Sequence, residues 1–339
     1  MRLKENVEMG NEDRRGFPYR AHPTGWFQLG WSADFPDGEA RPLTYFSREL
    51  VAYRGESGTV RVFDAFCPHF GAHLGHGGCV EGDDIICPFH AWRFDGDGHN
   101  VDVPYSQRRR TANRLRAWPL AEHDGIVFVW HDASGAAPQW DPPEVLGGEI
   151  VYPGDTVRNR LRMYPQMMVE NAADLAHLKY VHRARLVPEL VSFETDGHRW
   201  RNRAHYPTGG FLTNELYGVA IARSVFRDVF DGMVGGLVFT AVTPIDHEYS
   251  NYFVSDWALR AADAETPTDP EALPAAVKRY YAAQRTQAEP DWRVWEHMRW
   301  RVRPSTTPEE TEVFRSLREW ATQFYPDVPN QGDRRAATD

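Results

Sequence analysis

The sequence predicts an α+β chain of two parts, an all-β domain followed by a larger domain of sheet and helix. Three observations predict it. Short β-rich runs separated by turn residues fill the first third. A stretch rich in Ala, Gly and Pro at 132–143 then breaks the pattern. Beyond it, helical and strand-like runs are mixed. A length of 339 residues suits two domains at the usual ~150 residues each.

The strands expected in the first part are 26–31, 50–53, 60–66, 92–94 and 125–130. They are punctuated by Pro36-Asp37-Gly38, Gly55-Glu56-Ser57-Gly58 and Asp95-Gly96-Asp97-Gly98. In the second part, 167–180 reads as helix, 234–243 and 249–259 as strands, 274–299 as a helical region and 308–325 as a C-terminal helix. The domain division expected is an arm at 1–23 packing on the second domain, the β domain at 24–135 and the second domain at 136–339. No internal repeat or low-complexity tract interrupts it.

Composition narrows the function. Aromatic residues make up 13% and charged residues 25%, as in a folded globular protein. The formal net charge of -10 argues against nucleic acid and anionic membrane as partners; it suits a basic protein partner or simply a solvated face. The basic run at 108–110 reads as a solvated loop. The longest apolar stretch, 237–242, is far short of the ~20 residues that span a bilayer. The first residues, with Lys4, Glu5, Glu8, Arg14 and Arg15, lack the apolar core of a signal peptide, so a cytoplasmic soluble protein is expected. Three cysteines, Cys67, Cys79 and Cys87, are too few and too clustered for a disulfide framework and point to a metal site.

Two of these cysteines fall in a pattern. Cys67-Pro68-His69 is followed, with 17 residues between His69 and Cys87, by Cys87-Pro88-Phe89-His90. Each half offers a thiolate and an imidazole from a tight loop. Together they could hold a tetrahedral zinc, or a [2Fe–2S] cluster with two Cys on one iron and two His on the other. His73, His76 and Cys79 between the halves read as loop residues without a metal role.

A second cluster runs Glu170-Asn171-Ala172-Ala173-Asp174-Leu175-Ala176-His177, then His182. On one helix Glu170, Asp174 and His177 would share a face at ~100° per residue. His182 would stand ~140° away from His177, so the helix must end or kink between them if both bind one metal. The bland reading is a helix with a polar solvent face. Two histidines and a carboxylate on one face of ferrous iron would instead leave positions open for O2 and substrate.

The stretch 66–92, FCPHFGAHLGHGGCVEGDDIICPFHAW, resembles the Rieske domain of ring- and steroid-hydroxylating oxygenases. The later cluster resembles the same family's E-x3-D-x2-H-x4-H iron motif. The resemblance implies a catalytic domain of helix-grip form, in which an antiparallel sheet wraps helices. It implies that Cys67 and Cys87 bind one iron of a [2Fe–2S] cluster, and His69 and His90 the other. It implies that His177 and His182 bind a mononuclear Fe(II). The third ligand is implied to be Asp291, in Glu289-Pro290-Asp291-Trp292, with Glu289 and Asp256 in reserve. Asp174 is implied to bridge a cluster histidine of one subunit and an iron-ligand histidine of its neighbour in a homotrimer.

The implied activity is O2-dependent monooxygenation. The chain has no Rossmann fingerprint or flavin motif, so a separate NAD(P)H-dependent reductase is implied, with or without a ferredoxin. Gly25-Trp26-Phe27-Gln28-Leu29-Gly30-Trp31 and Gly71-Ala72-His73-Leu74-Gly75 look most like the 3-ketosteroid 9α-hydroxylase and cholesterol-desaturase branch. That favours an apolar, steroid-like substrate. A natural-product monooxygenase, N-oxygenase or demethylase is the alternative. The regions 211–243 and 249–257 are expected to line the pocket, with Val238, Phe239 and Val242 as candidates that could equally be core. Two other classes compete: a Rieske electron carrier would not need Asp174, His177 and His182, and a zinc-stabilised binding protein would be colourless.

Overall fold

The computed structural model describes residues 16–326 apart from 20, 108–112, 208, 229–233, 268, 270 and 271. The basic run at 108–110 and most of the arm at 1–23 lie outside the described residues.

Among the described residues the first part holds ten strands: β1 (Gly25–Trp31), β2 (Arg41–Tyr45), β3 (Arg48–Arg54), β4 (Val60–Asp64), β5 (Cys79–Glu81), β6 (Asp84–Ile86), β7 (Arg93–Phe94), β8 (Asn100–Asp102), β9 (Leu120–His123) and β10 (Ile126–His131). They form three small sheets, β1-β10-β9, β2-β3-β4 and β5-β6-β7-β8. The five expected strands are all present. Those that escaped the sequence reading, such as Asn100–Asp102, are three to five residues long, too short for a period to register.

The second part contains β11 (Asp155–Leu161), then α1 (Pro165–Glu170) and α2 (His177–Tyr180). Among the described residues six strands follow: β12 (Glu189–Asp196), β13 (Arg199–His205), β14 (Phe211–Tyr217), β15 (Ile221–Arg227), β16 (Gly236–Pro244) and β17 (Ser250–Ala258). Helices α3 (Ala275–Gln284), α4 (Ala288–Trp295) and α5 (Pro308–Ala321) complete it. The seven strands form one antiparallel sheet in the order β11-β17-β16-β15-β14-β13-β12. The expected α+β architecture is thus observed.

One expected element is corrected. The run 167–180 is not one helix: α1 stops at Glu170 and α2 begins at His177. Polar side chains break it. The Asp174 carboxylate accepts the backbone N–H of His177 at 3.1 Å, and the Asn202 amide takes the Ala172 carbonyl. Glu170, Asp174 and His177 therefore do not share a helix face. The chain also turns after Tyr180, before His182, as required if both histidines meet.

The two parts are joined by a common core. Every residue of β10 is buried, and of β1 all but Trp31. Such runs, apolar on both faces, suit a layer covered from both sides. Phe27, Leu29 and Phe128 pack in one cluster with Phe239 and Phe253 of the large sheet. Polar links reinforce this layer: Thr243 Oγ1 donates to the Gln28 carbonyl at 2.6 Å, and Trp31 Nε1 to Ser255 Oγ at 2.8 Å. Among the described residues no helix is long and apolar enough to cross a membrane.

Candidate metal centres and substrate cavity

The two Cys–His segments fold as near copies. In the first, Cys67 N–H donates to the Ala72 carbonyl and Gly71 N–H to the Cys67 carbonyl, both at 2.9 Å. In the second, Cys87 N–H donates to Trp92 at 2.9 Å and Ala91 N–H to Cys87 at 3.1 Å. The residue four after each cysteine has positive φ, 76° at Gly71 and 54° at Ala91. Each proline sends the chain into the turn, and each histidine then emerges beside the other. The ring centroids of His69 and His90 are 4.7 Å apart, and His69 stacks on Trp92 at 4.5 Å.

Both thiols are buried, unbridged and mutually close. Burial pushes the Cys67 thiol up to about 11, and Cys87 beside it adds to the effect. The Nδ1 atom of His90 is buried with no hydrogen-bond partner among the described residues. A buried imidazole nitrogen without a partner is costly unless it binds something. Two thiols and two imidazoles converging in this way suit a cluster with two sulfur and two nitrogen ligands. Of the loop residues set aside, His73 accepts the Gly75 N–H at 3.0 Å and lies 3.6 Å from Glu49, and Cys79 is exposed on β5.

In the second part, His177, His182 and Asp291 come together from α2, the turn after it and the first turn of α4. One donor atom from each lies within 4.8 Å of the other two. His182 Nε2 is 3.1 Å from Asp291 Oδ2, and the two imidazoles are 5.1 Å apart. His177 Nδ1 contacts the Asp174 carbonyl. A carbonyl only accepts, so Nδ1 carries the proton and Nε2 keeps its lone pair for a metal. Asn171 donates to Asp291 Oδ1 at 3.4 Å. His182 Nδ1 is buried and unpartnered among the described residues. Burial lowers the His177 pKa, which favours the neutral imidazole a metal requires. The donor set and its open side suit ferrous iron.

The reserve carboxylates do not join this triad. Glu289 is exposed and pairs with Arg293 at 2.6 Å, and Asp256 accepts a hydrogen bond from Tyr280. Asp174 is half-buried and caps α2. The sequence reading missed Asn171 and Arg318. The Arg318 guanidinium clamps Glu170 at 2.7 and 2.9 Å and fixes α1 against α5. A side-chain amide beside a histidine motif was the available signal for Asn171; Arg318 lies too far along the chain to have left one.

The triad opens on a cavity of about 460 Å³ against the large sheet. Alternate residues of successive strands face it, including Asn214, Ser224, Val238, Thr240 and Val254. Val238 lines it as expected. Phe239 and Val242 do not: Phe239 points to the opposite face of the strand, and Val242, on the same face as Val238 and Thr240, is buried in the core beside Met168, Ala222 and Tyr252.

Fold and site together define a Rieske-type oxygenase, an oxidoreductase with a [2Fe–2S] domain and a catalytic domain. More narrowly, the chain belongs to the 3-ketosteroid 9alpha-hydroxylase family: the C-terminal domain model of that family matches residues 129–325, and the Rieske [2Fe-2S] domain model matches 25–119. A 3-ketosteroid-9-alpha-monooxygenase oxygenase component of Rhodococcus rhodochrous is 29% identical, over 96% of this chain and 89% of that protein. A cholesterol 7-desaturase of Ciona intestinalis is 28% identical, over 89% of this chain and 68% of that protein. Dicamba monooxygenase bound to dicamba shares the fold with a TM-score of 0.70 at 20% identity, over 89% of this chain and 98% of that one.

Proposed function

We propose that the chain is the terminal oxygenase of a multicomponent monooxygenase acting on an apolar, polycyclic, steroid-like substrate. In this reading Cys67, His69, Cys87 and His90 hold the [2Fe–2S] cluster, and His177, His182 and Asp291 hold a mononuclear Fe(II). The observation that carries the reading is the cavity of about 460 Å³, which places apolar walls directly before the triad. That volume is of the size that encloses a compact organic ligand. The steroid class is supported by the two relatives, whose names specify 3-ketosteroid and cholesterol.

When bound, the two centres supply single electrons and O2 activation next to the substrate. The protein's own residues do the rest. The Asp174 carbonyl holds His177 in one tautomer and orientation. The Asn171 amide holds one oxygen of Asp291, leaving the other turned to His182. Leu175, Leu178, Leu212, Phe226 and Val238 exclude water and press the substrate toward the triad.

Electrons come from a separate NAD(P)H-dependent reductase, directly or through a ferredoxin. Phe70 and Phe89, beside the cluster histidines, are 73% and 62% exposed, and Tyr180 beside the triad is 75% exposed. A head-to-tail homotrimer would cover both surfaces, with Asp174 bridging a cluster histidine of one subunit to His177 of the next. The protein works in the cytoplasm. The test is turnover of androst-4-ene-3,17-dione under ¹⁸O2 with NADH and a surrogate reductase. A product carrying one ¹⁸O supports the reading. Oxidation of planar aromatic acids or amines, with steroids untouched, overturns the substrate class.

A further inference from the structure

The cavity has an acid where an apolar substrate site needs none. Tyr252, Val254 and Asp256, alternate residues of β17, line one wall. Tyr252 marks the end near the triad: its ring lies 6.1 Å from that of Trp292 in α4, and Asp291 adds to the burial that raises its hydroxyl pKa. Four residues further along a strand is about 13 Å. Asp256 therefore stands about 13 Å along the strand from the Tyr252 end, where Trp292 and Asp291 lie.

Asp256 is 6% exposed. Its Oδ1 accepts a hydrogen bond from the Tyr280 hydroxyl. The charged influence on it is Asp155, another acid, and among the described residues no cation pairs with it. Oδ2 receives no hydrogen bond from the described residues and, unlike the orphaned nitrogens of His90 and His182, stays accessible from the cavity. Burial with one hydrogen bond and no cation makes the charged form of this carboxyl costly.

A purely structural role, tying α3 to the sheet, is already filled by the next residue. Tyr281 donates its hydroxyl to the Pro153 carbonyl at 2.7 Å and accepts the Ala258 N–H at 3.1 Å. The acid is also held in a purpose-made slot. A Cβ at Gly236 would collide with the Tyr280 hydroxyl, so only glycine there lets Tyr280 reach Asp256.

We propose that Asp256, held by Tyr280, is a substrate anchor whose Oδ2 accepts a hydrogen bond from a hydroxyl at the end of the substrate remote from the triad. This rests on the cavity being the substrate site, as argued above. An alcohol needs only the single acceptor that is offered. An ammonium would bring a full charge among apolar walls for a carboxylate already shared with Tyr280. The neutral side chains nearby, Ser224 and Gln284, fit a neutral ligand.

The test is equilibrium dialysis of the metal-loaded enzyme above pH 8 with two matched pairs: testosterone against androst-4-ene-3,17-dione, and 2-decalol against 2-decalone. The expected result is an alcohol preference of about tenfold in each pair. Asp256→Leu abolishes the preference, whereas Tyr280→Phe, which leaves Oδ2 in place, retains it. A merely structural Asp256 would change both affinities equally and leave their ratio untouched, and that result overturns the anchor. So does equal affinity within both pairs for the wild-type enzyme. If neither steroid binds while the decalol preference persists, the anchor stands and the steroid reading falls.

Discussion

The Nε2 atom of His182 and the Oδ2 atom of Asp291 meet at 3.1 Å in the cavity wall, one from the turn after α2 and the other from the first turn of α4. The pairing makes a definite prediction about metal content. Asp291→Ala should lose the mononuclear iron and all monooxygenation while keeping the visible spectrum of the cluster, because the two donor sets share no residue. Iron per chain and the reduced-state spectrum check this. Retention of the third iron in the variant would remove Asp291 from the site.

In the proposed trimer Asp174 serves between subunits. Asp174→Asn leaves a side-chain oxygen able to accept the His177 N–H, so cap and fold should survive. Turnover should nonetheless fall at least a hundredfold with both metals bound. Single-turnover kinetics with a chemically reduced cluster measure it. Full turnover with an intact cluster would eliminate the bridge.

The Glu170–Arg318 pair holds the segment leading to His177 and His182 against α5, with side chains 12% and 20% exposed. Arg318→Leu leaves a buried carboxyl without its partner. The expected loss is about 3 kcal/mol of stability. Adding Glu170→Gln should recover part of it, read from denaturant midpoints.

Asp256 gives a pH-dependent prediction. Burial raises its carboxyl from 3.8 to about 7. Between those values the folded protein holds a proton that the unfolded chain has released. Stability from this group is therefore present at low pH and lost as pH rises to about 7. Asp256→Asn cannot ionise and can still accept from Tyr280. It should be more stable than wild type above pH 7, by a few kcal/mol on the scale of ~1.4 per unit, with the gain fading toward pH 4. A pH-independent difference in melting temperature would contradict this.

The cluster loops were legible because each is encoded locally: Cys-Pro fixes the turn, and histidine follows within three residues. The candidate iron site was half legible. His177 and His182 lie in one short motif, but Asp291 arrives from α4, and a carboxylate in a helix's first turn has the ordinary use of a cap. The large sheet was mostly illegible. In β13, Arg199, Arg201 and Arg203 point outward while Trp200, Asn202 and Ala204 point inward, so the buried face carries too little hydrophobicity for alternation to register. Asp256 was noticed for its carboxyl, yet its partner Tyr280 comes from α3, and that pairing exists only in three dimensions.

The most direct test of the two-centre account is the iron, zinc and acid-labile sulfide content of the purified protein, with EPR spectra before and after dithionite. The account predicts about three irons and two sulfides per chain, and a rhombic Rieske signal on reduction. Zinc without sulfide, and a protein that stays colourless, would contradict it.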